Sequence, residues 1–247
     1  MKQTPELISG DCSECPIRHR AVCSRCEPEE LDELEQLKYY RTYKAGQTIA
    51  VRGDDLTTVS SVVTGTATLS RVMEDGRTQI VGLLLPSDFI GRPGRTHAQY
   101  DIQAISDVTL CCFRRAPFEQ MVTRTPHVSE RMLEMALDEL DAARDWMLLL
   151  GRKTAREKVA SFLLLIQKRS ARPGGEELGE DLRLELPLTR EVMATYLGLT
   201  IETVSRQLTA LRKDGVIDVQ GKKVIVIKDL IALMMESGDD DDGGILD

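Results

Sequence analysis

The pattern of apolar and polar positions changes character several times along this chain of 247 residues. Residues 29–40, EELDELEQLKYY, set Leu31, Leu34 and Leu37 three apart, which predicts a short helix. From about 41 to 115 the texture shortens. Runs rich in Val, Ile, Thr and Leu, such as TVSSVVTGTATLSRV and QIVGLLL, alternate with turn signals at Lys44-Ala-Gly46, Arg52-Gly-Asp54, Gly65, Glu74-Asp-Gly76 and Pro86-Ser-Asp88. Such punctuated β-prone runs predict a small β-barrel or sandwich. After Pro126 the helical period returns. Leu133, Ala136, Leu140, Ala143, Met147 and Leu150 recur at alternating steps of three and four within 127–151, which is a heptad seam. Its two alanines make it narrow, so two helix axes can approach closely. It predicts a helix that pairs with a second copy of itself, with Gly151 as terminator or hinge.

A second helix is expected over 154–170, with Thr154 as its cap and Glu157 at capping-box spacing. A loop rich in Pro, Gly and Glu follows at 172–181, then a short strand from Leu182 to Leu186. Residues 188–213 read LTREVMATYLGLTIETVSRQLTALRK. Val192, Met193 and Leu197 give one helix its apolar side, Gly198 breaks it, and Thr200 caps a second helix from Ile201. Two short helices about a glycine turn form a helix-turn-helix. The second helix would bury Val204, Leu208 and Leu211 and expose Glu202, Thr203, Ser205, Arg206 and Gln207. VIDVQGKKVIVI then predicts a hairpin with Gly221 at its turn and Lys222 and Lys223 at its tip, within reach of phosphate.

Charge first speaks against nucleic acid, because the net charge is −8. Its distribution reverses that. Residues 151–232 carry 15 Lys and Arg against 11 Asp and Glu, while the last 15 residues carry six acids and no base. A locally basic face is what phosphate requires. Arg206 suits a bidentate contact to guanine, Glu202 can accept from the cytosine amino group, and Ser205 can reach a base edge or a phosphate. The tail, Glu236 with Asp239 to Asp242 and Asp247, reads as solvated. The N-terminus lacks the apolar run of a secretory signal and no run is long enough for a membrane helix, so a cytoplasmic protein is expected. His19, His97 and His127 form no catalytic pair, and an enzyme is not expected; His19, inside the cysteine arm, is a candidate neighbour of a metal ligand.

Six cysteines in such a protein are not expected to form a disulfide framework. Four crowd together as Cys12, Cys15, Cys23 and Cys26, and two are adjacent, Cys111 and Cys112. Two Cys-x2-Cys pairs can chelate zinc, and four thiolates can equally hold an iron–sulfur cubane. Spacing alone does not choose between them. Strand alternation puts Cys111 and Cys112 on opposite faces, with Cys111 on the side of Phe113.

The order of β-roll, long helix and winged helix-turn-helix, with the string Ile201-Glu-Thr-Val-Ser-Arg206 inside LGLTIETVSRQL, resembles the CRP/FNR regulators over roughly residues 12–232. The arm spacing Cys-x2-Cys-x7-Cys resembles the FnrL/FnrN branch of the FNR-type oxygen sensors. The fold so implied is α+β. A cysteine-rich arm (1–26) precedes a cyclic-nucleotide-binding-like β-roll (27–126), a dimerisation helix (127–151), a winged helix-turn-helix (152–232) and an acidic disordered tail (233–247). The resemblance implies a 4Fe–4S cluster on Cys12, Cys15, Cys23 and Cys111, with Cys112 the alternative to Cys111 and Cys26 a spare thiol. It further implies homodimerisation through Leu133, Ala136, Leu140, Ala143, Met147 and Leu150, and contact with RNA polymerase. Palindromic DNA with TTGAT half-sites would be read by Glu202, Ser205 and Arg206, flanked by Thr200 and Thr203. The expected output is activation or repression of anaerobic genes under low oxygen.

Two departures from the family pattern matter. The cyclic-nucleotide branch grips its ligand with a Gly-Glu pair and a later Arg. Here Phe89-Ile-Gly-Arg-Pro-Gly-Arg95 and Ala98-Gln-Tyr-Asp-Ile102 lack both, so no cyclic nucleotide is expected. In the enteric form an Asp stands at the seam position matching Ala143 and opposes pairing without the cluster. Ala143 removes that repulsion, although Asp138, Glu139, Asp141 and Asp145 flank it. The alternative is a regulator of the same fold whose cysteines bind zinc or sense oxidants as thiols.

Overall fold

A computed structural model describes residues 11–170, 182–221 and 223–238. The chain divides into two compact units, Met1–Ser70 with Gly82–Asp138, and Arg71–Val81 with Glu139–Asp247.

Helix α1 (Pro28–Leu37) starts at a capping box, in which the Glu27 N–H donates to Glu30 Oε2 at 2.8 Å, and it buries Leu31 and Leu34. It ends three residues earlier than its pattern suggests. Lys38 is already extended, and Lys38–Tyr43 form strand β1. The aromatic, β-prone run KYYRTY gains more from a neighbouring strand than from another helical turn. Seven further strands follow: β2 (Thr48–Ala50), β3 (Thr58–Thr64), β4 (Ala67–Val72), β5 (Thr78–Leu84), β6 (Phe89–Ile90), β7 (Asp101–Ala104) and β8 (Val108–Arg114). They make two four-stranded sheets, ordered β1-β8-β3-β6 and β2-β7-β4-β5, which is the β-roll expected from the punctuated pattern. At Gly65 (φ +82°) a side chain is sterically excluded, because a Cβ there would lie 2.1 Å from the Asp107 carbonyl oxygen.

Helix α2 (Arg115–Arg124) follows β8 directly and was not legible in the sequence; Phe118 and Met121 are its only buried positions. The long helix α3 runs Pro126–Arg152 and continues through Gly151, which neither terminates it nor takes a positive φ. Helix α4 (Ala155–Ser170) has the expected start, with the Thr154 N–H donating to Glu157 Oε2 at 2.6 Å.

The loop expected at 172–181 lies outside the described residues. Strand β9 (Leu182–Glu185) then precedes the two short helices α5 (Arg190–Leu197) and α6 (Ile201–Lys213). Gly198, at φ +64°, closes α5 in the left-handed conformation, and the Thr200 hydroxyl accepts from the Thr203 N–H to open α6. The hairpin β10 (Ile217–Gln220) and β11 (Val224–Ile227) pairs with β9 in a three-stranded sheet. Lys222 lies outside the described residues, and Lys223 is exposed.

One boundary needs correcting. Residues 233–237, assigned on charge to the tail, continue helix α7 (Leu230–Ser237), which buries Leu233. Glu236 is not a solvated tail residue, because Arg156 Nη2 donates to its Oε1 at 2.6 Å. Residues 239–247 lie outside the described residues. Among the described residues no helix is long and apolar enough to cross a membrane.

Candidate metal centre and nucleic-acid interface

The cysteine arm folds as consecutive tight turns. The Arg18 N–H donates to the Cys15 carbonyl at 3.0 Å, the Ala21 N–H to Ile17 at 2.9 Å, and the Cys26 N–H to Cys23 at 3.2 Å. What fixes the arm is apolar. Ile17, Ala21 and Val22 are buried in one cluster with Leu31, Leu34, Val59, Phe113 and Phe118. That cluster covers the outer face of the β1-β8-β3 sheet. Alternation along β8 does the rest. Cys111 and Phe113 belong to the cluster under the arm, whereas Leu110 and Cys112 belong to the core between the sheets.

Cys12, Cys15, Cys23 and Cys111 therefore line a single pocket, which neither Cys26 nor Cys112 lines. Thiols ~90 residues apart in sequence share it because β1 pairs Tyr40 with Cys111 and α1 packs the arm alongside. Among the described residues the cysteines form no disulfide, and no three Cys, His, Asp or Glu side chains converge as they would on one ion. His19 is exposed and lines no part of the pocket.

Three further side chains of the pocket region were missed by the sequence reading. Lys38, whose side chain is 6% exposed, donates from Nζ to Cys12 Sγ at 3.0 Å. Glu35 accepts the Cys12 backbone N–H at 2.9 Å and stands 3.8 Å from Lys38, so the α1–β1 junction holds both the main chain and the sulfur of Cys12. Ser61, on β3 opposite Cys111, is 2% exposed, and its hydroxyl has no hydrogen-bond partner among the described residues. None of the three carries a motif; the strand register and the α1–β1 junction bring them here.

Burial raises three of these thiols, Cys12, Cys23 and Cys111. It pushes the Cys23 thiol up to about 11 and raises Cys111 further, with neighbouring cysteines adding to both. Cys12 is also raised by burial, against the pull of Lys38. Burial raises Cys26 to about 12, with Cys23 and Glu30 adding to it, and raises Cys112 to about 11 against the pull of Arg41. A bound cation reverses this, because coordination deprotonates a thiol outright.

The arm is tied to the start of α3. Arg131 Nη2 donates to the Arg20 carbonyl at 2.8 Å, Glu134 pairs with Arg25 at 2.7 Å and with Arg131 at 3.2 Å, and His127 Nδ1 lies 3.0 Å from Glu30. Beyond these contacts the seam is open. Leu133 is 61% exposed, Leu140 46% and Met147 66%, with Ala136 and Ala143 exposed between them and Leu137 and Leu148 widening the stripe. Leu150 departs from the expected interface. It is half-buried against its own chain, within van der Waals reach of Gly198, and its carbonyl accepts from Lys158. Trp146, stacked on Tyr196 at 3.9 Å between ring centroids, faces the same way.

On α6, Val204, Leu208 and Leu211 are buried, as the pattern predicts. Glu202 and Arg206 are exposed and Ser205 half-exposed, so the three share the outward face. The Glu202 carboxylate is lowered by hydrogen bonding to its own backbone N–H and to Thr200, which keeps it an acceptor. Arg190 Nη1 reaches Ser205 Oγ at 3.4 Å. Thr200 and Thr203 spend their hydroxyls on each other and on the cap. In the β-roll, the loop carrying Arg92 and Arg95 is filled from within the chain: the Gly94 N–H donates to Glu119 Oε1 at 2.9 Å, and Arg115 pairs with the same carboxylate at 3.2 Å.

Comparison with known proteins agrees with this geometry. Residues 40–125 match the model of the cyclic nucleotide-binding domain, and residues 157–235 that of the Crp-like helix-turn-helix domain. The chain is 61% identical to the transcriptional activator protein FnrL of Cereibacter sphaeroides, over 99% of this chain and 98% of that one. It is 28% identical to the fumarate and nitrate reduction regulatory protein of Salmonella typhi, over 87% and 86%. The solved structure of FixK2 from Bradyrhizobium japonicum superposes with a TM-score of 0.72 at 33% identity, covering 80% of this chain and 96% of that one.

Proposed function

The chain belongs to the CRP/FNR family of transcription regulators, and we infer from its thiol pocket that it senses oxygen through a 4Fe–4S cluster held by Cys12, Cys15, Cys23 and Cys111. The observation that carries this reading is that three arm cysteines and one β-roll cysteine line one pocket, with Cys26 and Cys112 left out of it. The donor set suits the group: four soft sulfurs, an apolar wall, and a buried hydroxyl in need of an acceptor. When bound, the cluster supplies an oxygen-labile core that requires all four thiolates.

The chain's own residues carry the signal. Cys12, Cys15 and Cys23 would hold the group together with Cys111, which would fasten the arm to β8. The fastened arm presents the Arg20 carbonyl and Arg25 to Arg131 and Glu134, which orders the start of α3. An ordered α3 pairs with that of a second copy along Leu133, Ala136, Leu140, Ala143 and Met147, burying an apolar stripe that one chain leaves in water. Pairing sets two α6 helices one DNA turn apart, where Glu202, Ser205 and Arg206 read each half of a TTGAT palindrome. RNA polymerase is the further partner, with the exposed turn Glu74-Asp75-Gly76-Arg77 a contact surface. Without a group shared by Cys12, Cys15, Cys23 and Cys111, the arm would be held by its remaining contacts alone and pairing would weaken. About 3 kcal/mol of dimer stability would change association by roughly a hundredfold.

Zinc on the same thiolates, or thiol redox sensing in the cytoplasm, is the second reading. The same four thiolates would also suit one zinc ion at about 2.3 Å from each, so metal content and colour separate the two readings. The test is binding of TTGAT-palindrome DNA by anaerobically reconstituted protein, before and after air. Tight binding lost together with visible colour supports the cluster reading. A colourless, zinc-loaded protein that binds equally in air overturns it.

A further inference from the structure

We propose that Ser61 and Lys38 are positioning residues that hold the negative charge of the thiolate-bound group, Ser61 from β3 beside Cys111 and Lys38 from β1 against Cys12. The inference deepens the reading above and rests on it only in that Cys12 and Cys111 ligate as thiolates.

Ser61 is the stronger of the two observations. Buried hydroxyls are almost always satisfied, because leaving one unpaired forfeits its interaction with water. Ser61 Oγ is unsatisfied, its residue is 2% exposed, and it lines the thiol pocket directly across the strand pair from Cys111. Its neighbour Ser60 lies opposite Cys112 on the other face, so the register separates the two serines as it separates the two cysteines. A hydroxyl there finds an acceptor only when the pocket holds one, such as thiolate or sulfide.

Lys38 answers the same need at the other end. A buried ammonium requires a partner, and its Nζ lies 3.0 Å from Cys12 Sγ. Four thiolates make the loaded site strongly anionic inside an apolar wall. A buried cation and a hydroxyl donor offset that charge, and hydrogen bonds to sulfur and net charge both govern how such groups behave.

The role predicts opposite signs in two states, which a purely structural role does not. Ser61→Ala removes an unsatisfied group from the metal-free protein, so the metal-free variant melts at the wild-type temperature or above. In the loaded protein it removes a donor. The experiment follows iron extraction by a chelator under argon, in the full-length protein reconstituted with iron and sulfide. Ser61→Ala is expected to lose iron about fivefold faster and Lys38→Met about tenfold faster than wild type, as befits hydrogen bonds to charged groups. Lys38→Arg is expected to stay within about twofold of wild type. Thermal melts of the metal-free variants check the fold, and if Lys38→Met does not fold, Ser61→Ala carries the test. Wild-type extraction rates for Ser61→Ala and a folded Lys38→Met would overturn the proposal while leaving the cluster reading intact. A wild-type protein that takes up neither iron nor zinc on its thiols would overturn both.

Discussion

Adjacent residues in this chain have separate fates. Cys111 and Cys112 are chemically identical, and one dihedral period puts the first under the arm and the second in the core between the sheets. Cys111→Ala is therefore expected to abolish iron retention with little loss of fold. Cys112→Ala is expected to keep the iron and to destabilise the β-roll by about 1 kcal/mol, as loss of a small buried apolar group does. Iron content and a melting curve of each variant check the pair. On α6, Arg206→Ala should cost about 1–3 kcal/mol at the matched half-site and little on unrelated DNA, read by binding titration on both. The β-roll loop gives a third residue-scale expectation. Glu119 already accepts the Gly94 N–H, so cyclic AMP added to the protein should give no binding heat. A saturable heat would show that Glu119 yields to the nucleotide. The pocket cysteines and the outward side chains of α6 were legible in the sequence because thiols, Arg and Glu announce their chemistry. Lys38 and Ser61 were not, since nothing about a lone Lys or Ser predicts which sulfur a strand register will set beside it.

At the scale of elements, the periodic segments were read closely: α4 with its capping box, the turn at Gly198, the wing, and the long helix α3. The misses share a cause. The end of α1 at Leu37 and the start of β1 were decided by pairing with β8, a long-range term that local propensity does not contain. Helix α2 has two buried positions, too few to set a period. Helix α7 was hidden by acidic residues beyond it, although Arg156 gives Glu236 a partner inside the fold. Gly151 looked like a stop, yet α3 passes through it. The element that couples arm to helix is the contact of Arg131 with the Arg20 carbonyl, together with Glu134 between Arg25 and Arg131. Arg131→Ala should leave iron binding unchanged while weakening dimerisation of the loaded protein about tenfold, the size of one charge-assisted hydrogen bond. Sedimentation of the reconstituted variant reads this directly. Equal dimerisation would show that the arm does not act through α3.

For the whole molecule, charge is partitioned by task. The acidic total conceals a basic stretch from 151 to 232 that carries the recognition helix and the wing. The seam of α3 is apolar and exposed in a single chain, and Ala143 adds no charge to oppose pairing. Aerated protein is therefore expected to keep a measurable dimer fraction at micromolar concentration in gel filtration. A clean monomer would mean that the flanking acids Asp138, Glu139, Asp141 and Asp145 suffice to separate the chains.

All of this depends on sulfurs from the arm and from β8 holding one inorganic group in common. The most direct measurement is iron and acid-labile sulfide per chain after anaerobic reconstitution, with the visible spectrum, for wild type beside Cys111→Ala and Cys26→Ala. About four iron and four sulfide in wild type and Cys26→Ala, falling to near none in Cys111→Ala, is the expected result. Full iron in Cys111→Ala, or a colourless wild type loaded with zinc, would contradict it.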